Sequence, residues 1–236
     1  MRRILPPLLL PLLLLLPACD GGGGDTDGGV DVVTDEEYFG LALGSCFVLQ
    51  GGLGGVQEMT IGVEAENDAL GFMARQIRYR LGGFLRRTDY VTVEDGLVKI
   101  HQRSEVGSPN MDVEFDPPID WLARPFRPTG TNPLRTDTTA TDVFTSETET
   151  WTARTSLTEA ESITVPGLAE AVEAFPAFVV YDRTDAGGGM TSQEDRFHLV
   201  PEVGFIKADL FGTDWPDVQL IEVRQLPSGE TTCTGS

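Results

Sequence analysis

The feature that most constrains this chain is the period of its hydrophobic pattern, which is two rather than 3.6 over most of residues 37–236. Met59, Ile61 and Val63 alternate with polar or small residues, and Ile77, Tyr79 and Leu81 alternate with Arg78 and Arg80. Such a period sends successive side chains to opposite faces of a pleated strand. Tyr90 to Glu94 and Leu97 to Gln102 flank Asp95-Gly96, a pair suited to the positive φ angles of a two-residue hairpin turn. Met111 to Phe115 is expected to be a short strand stopped by Pro117-Pro118, and Thr148 to Arg154 a strand with a hydroxyl-rich outer face. One stretch breaks the pattern. Pro166 suits a first helical position, and Leu168, Val172 and Phe175 would share a helix face, so a short helix is expected over 166–175, ended by Pro176. Strands follow at Ala177 to Asp182, around Phe197 to Val200, at Val203 to Leu210 and at Val218 to Leu226. Roughly ten short strands with turn signals between them imply a mainly β fold, a single antiparallel meander curled into a half-barrel or sandwich.

The first 36 residues follow other rules. Arg2 and Arg3 precede an apolar block, Ile4 to Leu16, interrupted by Pro6, Pro7 and Pro11. Ala18 supplies the small residue before Cys19. These are the parts of an export signal over 1–18, and the block is shorter than the roughly 20 apolar residues of a spanning helix. The Leu16-Pro17-Ala18-Cys19 junction resembles that of bacterial lipoproteins. The resemblance implies acylation of Cys19, which anchors the protein to a membrane through several acyl chains. The alternative is an ordinary secreted protein. Residues 19–36, with their run of Gly and Asp, would be a flexible acidic tether.

Composition excludes some partners. The chain carries 17 basic and 37 acidic residues, a net charge of −20, and removal of the leader takes away Arg2 and Arg3 and leaves −22. Nucleic acid would be repelled. With Cys19 lipidated, Cys46 and Cys233 form an even pair in an oxidising compartment, which predicts a disulfide between the start and the tail of the domain. The alternative is two free thiols.

Few residues point to catalysis. A nucleophilic Cys46 would need His101 or His198 as its base, and the predicted disulfide competes with that reading. Gly-x-Ser-x-Gly, His-x-His and Cys-x-x-Cys are missing from the sequence, so neither a hydrolase elbow nor a zinc site is indicated. Asp25, Asp27 and Glu36 have a partial calcium-loop spacing, but Gly29 and Val30 stand where a ligand and the turn glycine belong, so the run reads as tether. No metal or other cofactor is expected. Arg75, Arg78, Arg80, Arg86 and Arg87, with Lys99 and Arg103, cluster in an otherwise acidic chain. They are a candidate stripe for an anionic partner, set against a solvated face paired with acids.

Several stretches carry a wider likeness: Tyr38-Phe39-Gly40-Leu41-Ala42-Leu43-Gly44, Glu94-Asp95-Gly96-Leu97-Val98, Asp116-Pro117-Pro118-Ile119-Asp120-Trp121-Leu122, and Phe197-His198-Leu199-Val200-Pro201-Glu202-Val203-Gly204-Phe205-Ile206-Lys207. In this order they resemble bacterial envelope lipoproteins of unknown function, whose antiparallel half-barrel wraps a helix or an apolar ligand. Cys46 stands where that group has an aromatic residue. The group has no agreed catalytic residues, so none is transferred. The expectation is a non-enzymatic binding or structural module in the bacterial envelope, anchored at the outer membrane, with a lipid or another envelope protein as partner. The alternative is a carrier or sensor of a lipid or other apolar ligand, and a hydrolase comes behind both.

Overall fold

A computed structural model describes residues 33–51, 57–68, 70–107, 110–210, 218–227, 230 and 232–235. The leader, Cys19 and the Gly/Asp run lie outside the described residues. The strands, the disulfide and both apolar clusters all belong to one unit, Val33–Ser236.

That unit opens with one helical turn, α1 (Asp35–Tyr38), and continues through β1 (Ser45–Gly51), β2 (Gln57–Asn67), β3 (Ala74–Leu81), β4 (Phe84–Glu94), β5 (Leu97–Glu105), β6 (Met111–Ala123), β7 (Leu134–Asp142), β8 (Thr148–Leu157), β9 (Glu161–Ile163), β10 (Val172–Thr184), β11 (Met190–Val200), β12 (Gly204–Leu210) and β13 (Val218–Gln225). Each described pairing is antiparallel. Neighbours run in chain order from β1 to β8, then β10 to β13, and β13 returns to β1. The ring is therefore a closed twelve-stranded barrel, not the half-barrel or sandwich expected, with β9 as a short outrigger on β10. Closure pairs the backbone edges that an open sheet would expose.

Alternation sorts the two faces as the sequence implied. Met59, Ile61, Val63, Ile77 and Tyr79 are buried in the lumen cluster, while Arg135, Asp137, Glu194 and Arg196 face out in pairs. This apolar-in, charged-out order is the reverse of a membrane-spanning barrel. No helix among the described residues is long and apolar enough to cross a membrane. The outer face of β8 is hydroxyl-rich as expected, with Thr148 and Thr150 exposed and Thr152 half-buried, whereas Thr136 and Thr138 of the neighbouring β7 are buried.

The Asp95-Gly96 turn forms as expected, with φ of 52° and 73°. The helix over 166–175 does not. Residues 166–171 form a turn, a bend and irregular chain, and Val172 to Ala174 pair with β9. Pro176 sits inside β10 where the strand changes partner, after Ala174↔Glu161 and before Ala177↔Leu157. A residue without an N–H is tolerated at such a gap in the ladder. Pro117-Pro118 likewise bends β6 instead of stopping it: the β5 register skips from Glu114 to Ile119, and Thr138 Oγ1 donates to the Pro117 carbonyl at 2.6 Å. The domain also starts earlier than residue 37. Thr34 and Glu37 form a reciprocal capping box around α1, and Arg124 binds both Asp35 and the Val33 carbonyl.

An aromatic cluster fills the α1 end of the lumen. Phe39, Leu41, Phe47, Trp121 and Phe205 are buried, with the Phe47 and Phe205 rings 5.5 Å apart and Trp121 stacked on Phe205 at 6.1 Å. Gly204 makes the close packing feasible. Its φ is +100°, and a Cβ there would lie 2.7 Å from the Phe47 ring.

Candidate functional site

The half of the lumen away from α1 holds charge. Arg87, Asp89 and Val91 occupy the inward positions of β4, and Arg103 faces Asp89 from β5. Arg87 donates to Asp89 from Nε and Nη2 at 2.9 and 2.7 Å and to Asp195 of β11 from Nη1 at 2.5 Å. Arg103 donates to Asp89 from Nε at 2.8 Å and to the Tyr181 hydroxyl from Nη2 at 2.9 Å. The guanidinium of Arg103 also lies 4.4 Å from the Tyr181 ring centre, and that of Arg87 lies 4.9 Å from Tyr79. Two cations and two anions thus neutralise one another in full burial. Burial by itself would raise the Asp89 pKa, but Arg103 and Arg87 outweigh it and hold the carboxyl below its ordinary value. Burial pushes the Tyr79 and Tyr181 hydroxyls up. Arg103 Nη1 and Asp195 Oδ1 keep unused hydrogen-bonding capacity within this set. The arrangement fixes β4, β5, β10 and β11 relative to one another, and its four charged side chains are 0–2% exposed.

A second constellation lies on the outer wall. The Cys46–Cys233 disulfide forms as predicted, with an S–S distance of 2.01 Å, and straps the C-terminal tail over β1 and β2. Glu64 faces outward beneath the strap. It accepts from the Cys233 amide at 2.7 Å and from Arg78 at 3.1 Å, and it is paired with Arg80. Thr60 Oγ1 donates to the Cys233 carbonyl. Gly62 leaves the room the strap needs, since a Cβ there would come 2.5 Å from the Cys233 Cβ.

The arginine stripe is not assembled. Arg87 and Arg103 point into the lumen, Arg78 and Arg80 lie against Glu64 on the outside, and Arg75 meets the Leu41 carbonyl, Glu36 and Glu66 near α1. Arg86 is exposed and Lys99 half-buried. Alternation alone forbids one face: Arg87 lies opposite the inward Tyr79, on the other side of the wall from Arg78 and Arg80, while Arg86 falls at the register shift between β3 and β4. The same logic could have found the lumen set, because Arg87 and Asp89 share the period of Val91. Asp195 shares the period of Phe197 and Leu199, and Tyr181 that of Ala177 and Val179, so alternation marks both as inward; their meeting with Arg87 and Arg103 across the barrel has no local signal.

The disulfide occupies Cys46, so it is not a nucleophile in this state. His101 contacts Thr92 at 2.9 Å and the Phe72 ring at 4.4 Å, beside a shallow pocket of about 250 Å³, and burial lowers its pKa. His198 meets Glu161 at 2.9 Å. Among the described residues, no three His, Cys, Asp or Glu side chains converge as a metal site. Glu36 pairs with Arg75, and Asp25 and Asp27 of the partial calcium spacing lie outside the described residues. The outer wall over β11 and β12 carries an open groove of about 470 Å³ lined by Ser192, Glu194, Arg196 and Asp209, with a neighbouring hollow of about 150 Å³ at His198 and Lys207. Its mixed charges suit a polar ligand.

No family model matches the chain, and no curated protein matches it. Two solved structures are similar. One, from Parabacteroides distasonis, is described as a lipoprotein; it has 11% identity and a TM-score of 0.44, covering 79% of this chain and 98% of that one. The other, from Bacteroides fragilis, is described as an exported protein with a YmcC-like fold; it has 9% identity and a TM-score of 0.44, covering 80% and 99%. A likeness at this level carries no functional conclusion.

Proposed function

We propose that this chain is a bacterial cell-envelope lipoprotein, held at the outer membrane by acyl chains on Cys19, whose barrel serves as a non-enzymatic binding or structural module. The buried Cys46–Cys233 disulfide carries the reading. It joins residues 187 positions apart, a closure that belongs to an oxidising compartment. It also leaves Cys19, placed between leader and tether, as the one cysteine of the sequence outside that disulfide. The carrier reading is set aside, because the concavity it needs is a closed lumen filled by aromatic rings and a neutralised ion network. The outer groove, with Arg196, His198 and Lys207 beside Glu194 and Asp209, is the place for a polar envelope ligand.

The test is metabolic labelling with an alkyne fatty acid in a lipoprotein-processing bacterium, followed by mass spectrometry of the N-terminal peptide and membrane fractionation. Acylated Cys19 at the mature N-terminus is expected, with label lost in Cys19→Ser. An unmodified Cys19, or label that survives Cys19→Ser, refutes the anchor.

A further inference from the structure

Hairpin turns in an antiparallel barrel alternate between its two ends. The β4/β5 turn lies at the α1 end, where the Gly96 amide donates to Asp35 at 2.8 Å. The β3/β4, β5/β6, β7/β8 and β10/β11 turns therefore share the opposite end. They belong to eight consecutive strands of the twelve in the ring. Each of the four exposes apolar side chains. Phe84 (74% exposed) and Leu85 follow the Gly82-Gly83 turn, Val106 follows β5, Val143 and Phe144 (81%) form the β7/β8 turn, and Met190 (76%) opens β11. Isolated exposed apolar residues are ordinary, but a recurrent set on one rim marks an interaction surface.

We propose that this rim docks on the surface of a zwitterionic phospholipid bilayer, with the Phe84, Phe144 and Met190 side chains entering the boundary between headgroups and acyl chains. Three observations select a bilayer. First, the apolar residues stand on separate turn tips, so they meet a soft planar phase more readily than the walls of a protein groove. Second, the outer wall below them is charged, as in Arg135–Asp137, Arg154–Asp182 and Arg196–Glu194, which limits entry to the tips. Third, the charge sign selects the headgroup class. The chain carries −20, and among the described residues of these turns the exposed Glu147 and Asp185 outnumber the exposed Arg86, so an anionic surface disfavours the rim and a zwitterionic one does not. Aromatic side chains favour this interfacial depth. The chain enters the barrel at the α1 end, 14 residues after Cys19. That length can reach up to about 50 Å, against a barrel height of about 30 Å, so an anchor at Cys19 is compatible with either end facing the bilayer.

The docking surface does not depend on acylation, and its test removes the acyl chain. The chain from residue 19 onward, carrying Cys19→Ser and with its disulfide formed, is floated with phosphatidylcholine/phosphatidylethanolamine vesicles. Co-flotation that is insensitive to salt and reduced by phosphatidylglycerol is expected. The rim variant Phe84→Ser/Phe144→Ser/Met190→Ser should lower partitioning about tenfold or more, whereas Leu43→Ser/Met73→Ser, exposed sites at the α1 end, should leave it unchanged. Near-ultraviolet circular dichroism checks that both variants remain folded. No flotation of the parent, equal flotation of the rim variant, or flotation that requires anionic lipid overturns the proposal. A solution dimer that the rim variant converts to monomer also overturns it and assigns the rim to a second copy. A failure of the Cys19 labelling experiment leaves these outcomes untouched, so the two readings fail separately.

Discussion

Replacing Asp89 by Asn keeps the shape of the lumen network and removes one charge. In the native barrel Arg87 and Arg103 are balanced by Asp89 and Asp195. After the change Arg87 retains Asp195, but Arg103 loses its charged partner and keeps the Tyr181 hydroxyl and ring. A buried cation left without its counter-ion costs about 3–5 kcal/mol. For a domain of this size that corresponds to a fall in Tm of roughly 6–20 °C. Asp89→Asn should therefore be measured by guanidinium unfolding, with m compared with the parent to confirm that the folded state is equally compact. The pH dependence supplies a second check. The Asp89 pKa is depressed in the folded state, so its contribution is fully present above the unfolded value near 4 and is lost as pH falls through the folded value. The gap between parent and variant should be widest at neutral pH and shrink in acid. A variant within about 1 kcal/mol of the parent at neutral pH, or a gap independent of pH, would refute the claim that these charges rely on one another.

Removing the strap as Cys46→Ala/Cys233→Ala deletes a cross-link with a sequence separation of 187. The chain-entropy relation gives up to about 5 kcal/mol, and thermal unfolding with and without reductant should show reductant sensitivity in the parent alone. Gly204→Ala places a Cβ 2.7 Å from the Phe47 ring at a φ of +100°. A loss of about 2 kcal/mol or more is expected by denaturant titration, because neither the strained backbone nor the stacked rings can yield cheaply.

Much of the local structure was legible because it rests on local physics. Alternation of Met59, Ile61 and Val63, and of Ile77 and Tyr79, follows from the pleat. The Asp95-Gly96 turn follows from backbone sterics. The Cys46–Cys233 bridge followed from parity once Cys19 was set aside. The reading of 166–175 failed for an equally definite reason. Leu168, Val172 and Phe175 satisfy a helical spacing, but Val172 to Ala174 gain a ladder with β9, and Pro176 falls in the gap between two partners. Pairing across the sheet outweighed a weak local preference.

The sequence by itself determined the mainly strand content, the acidic charge and the pairing of Cys46 with Cys233. Only the tertiary structure decided that the sheet closes. Closure depends on the registers of twelve strands and on β13 returning to β1, a long-range condition that no short window encodes. It also decided the fate of the arginines. The six arginines of a linear cluster became two buried in the lumen, two clamped outside by Glu64, one held near α1 and one, Arg86, left exposed, largely because strands turn alternate residues to opposite sides of the wall.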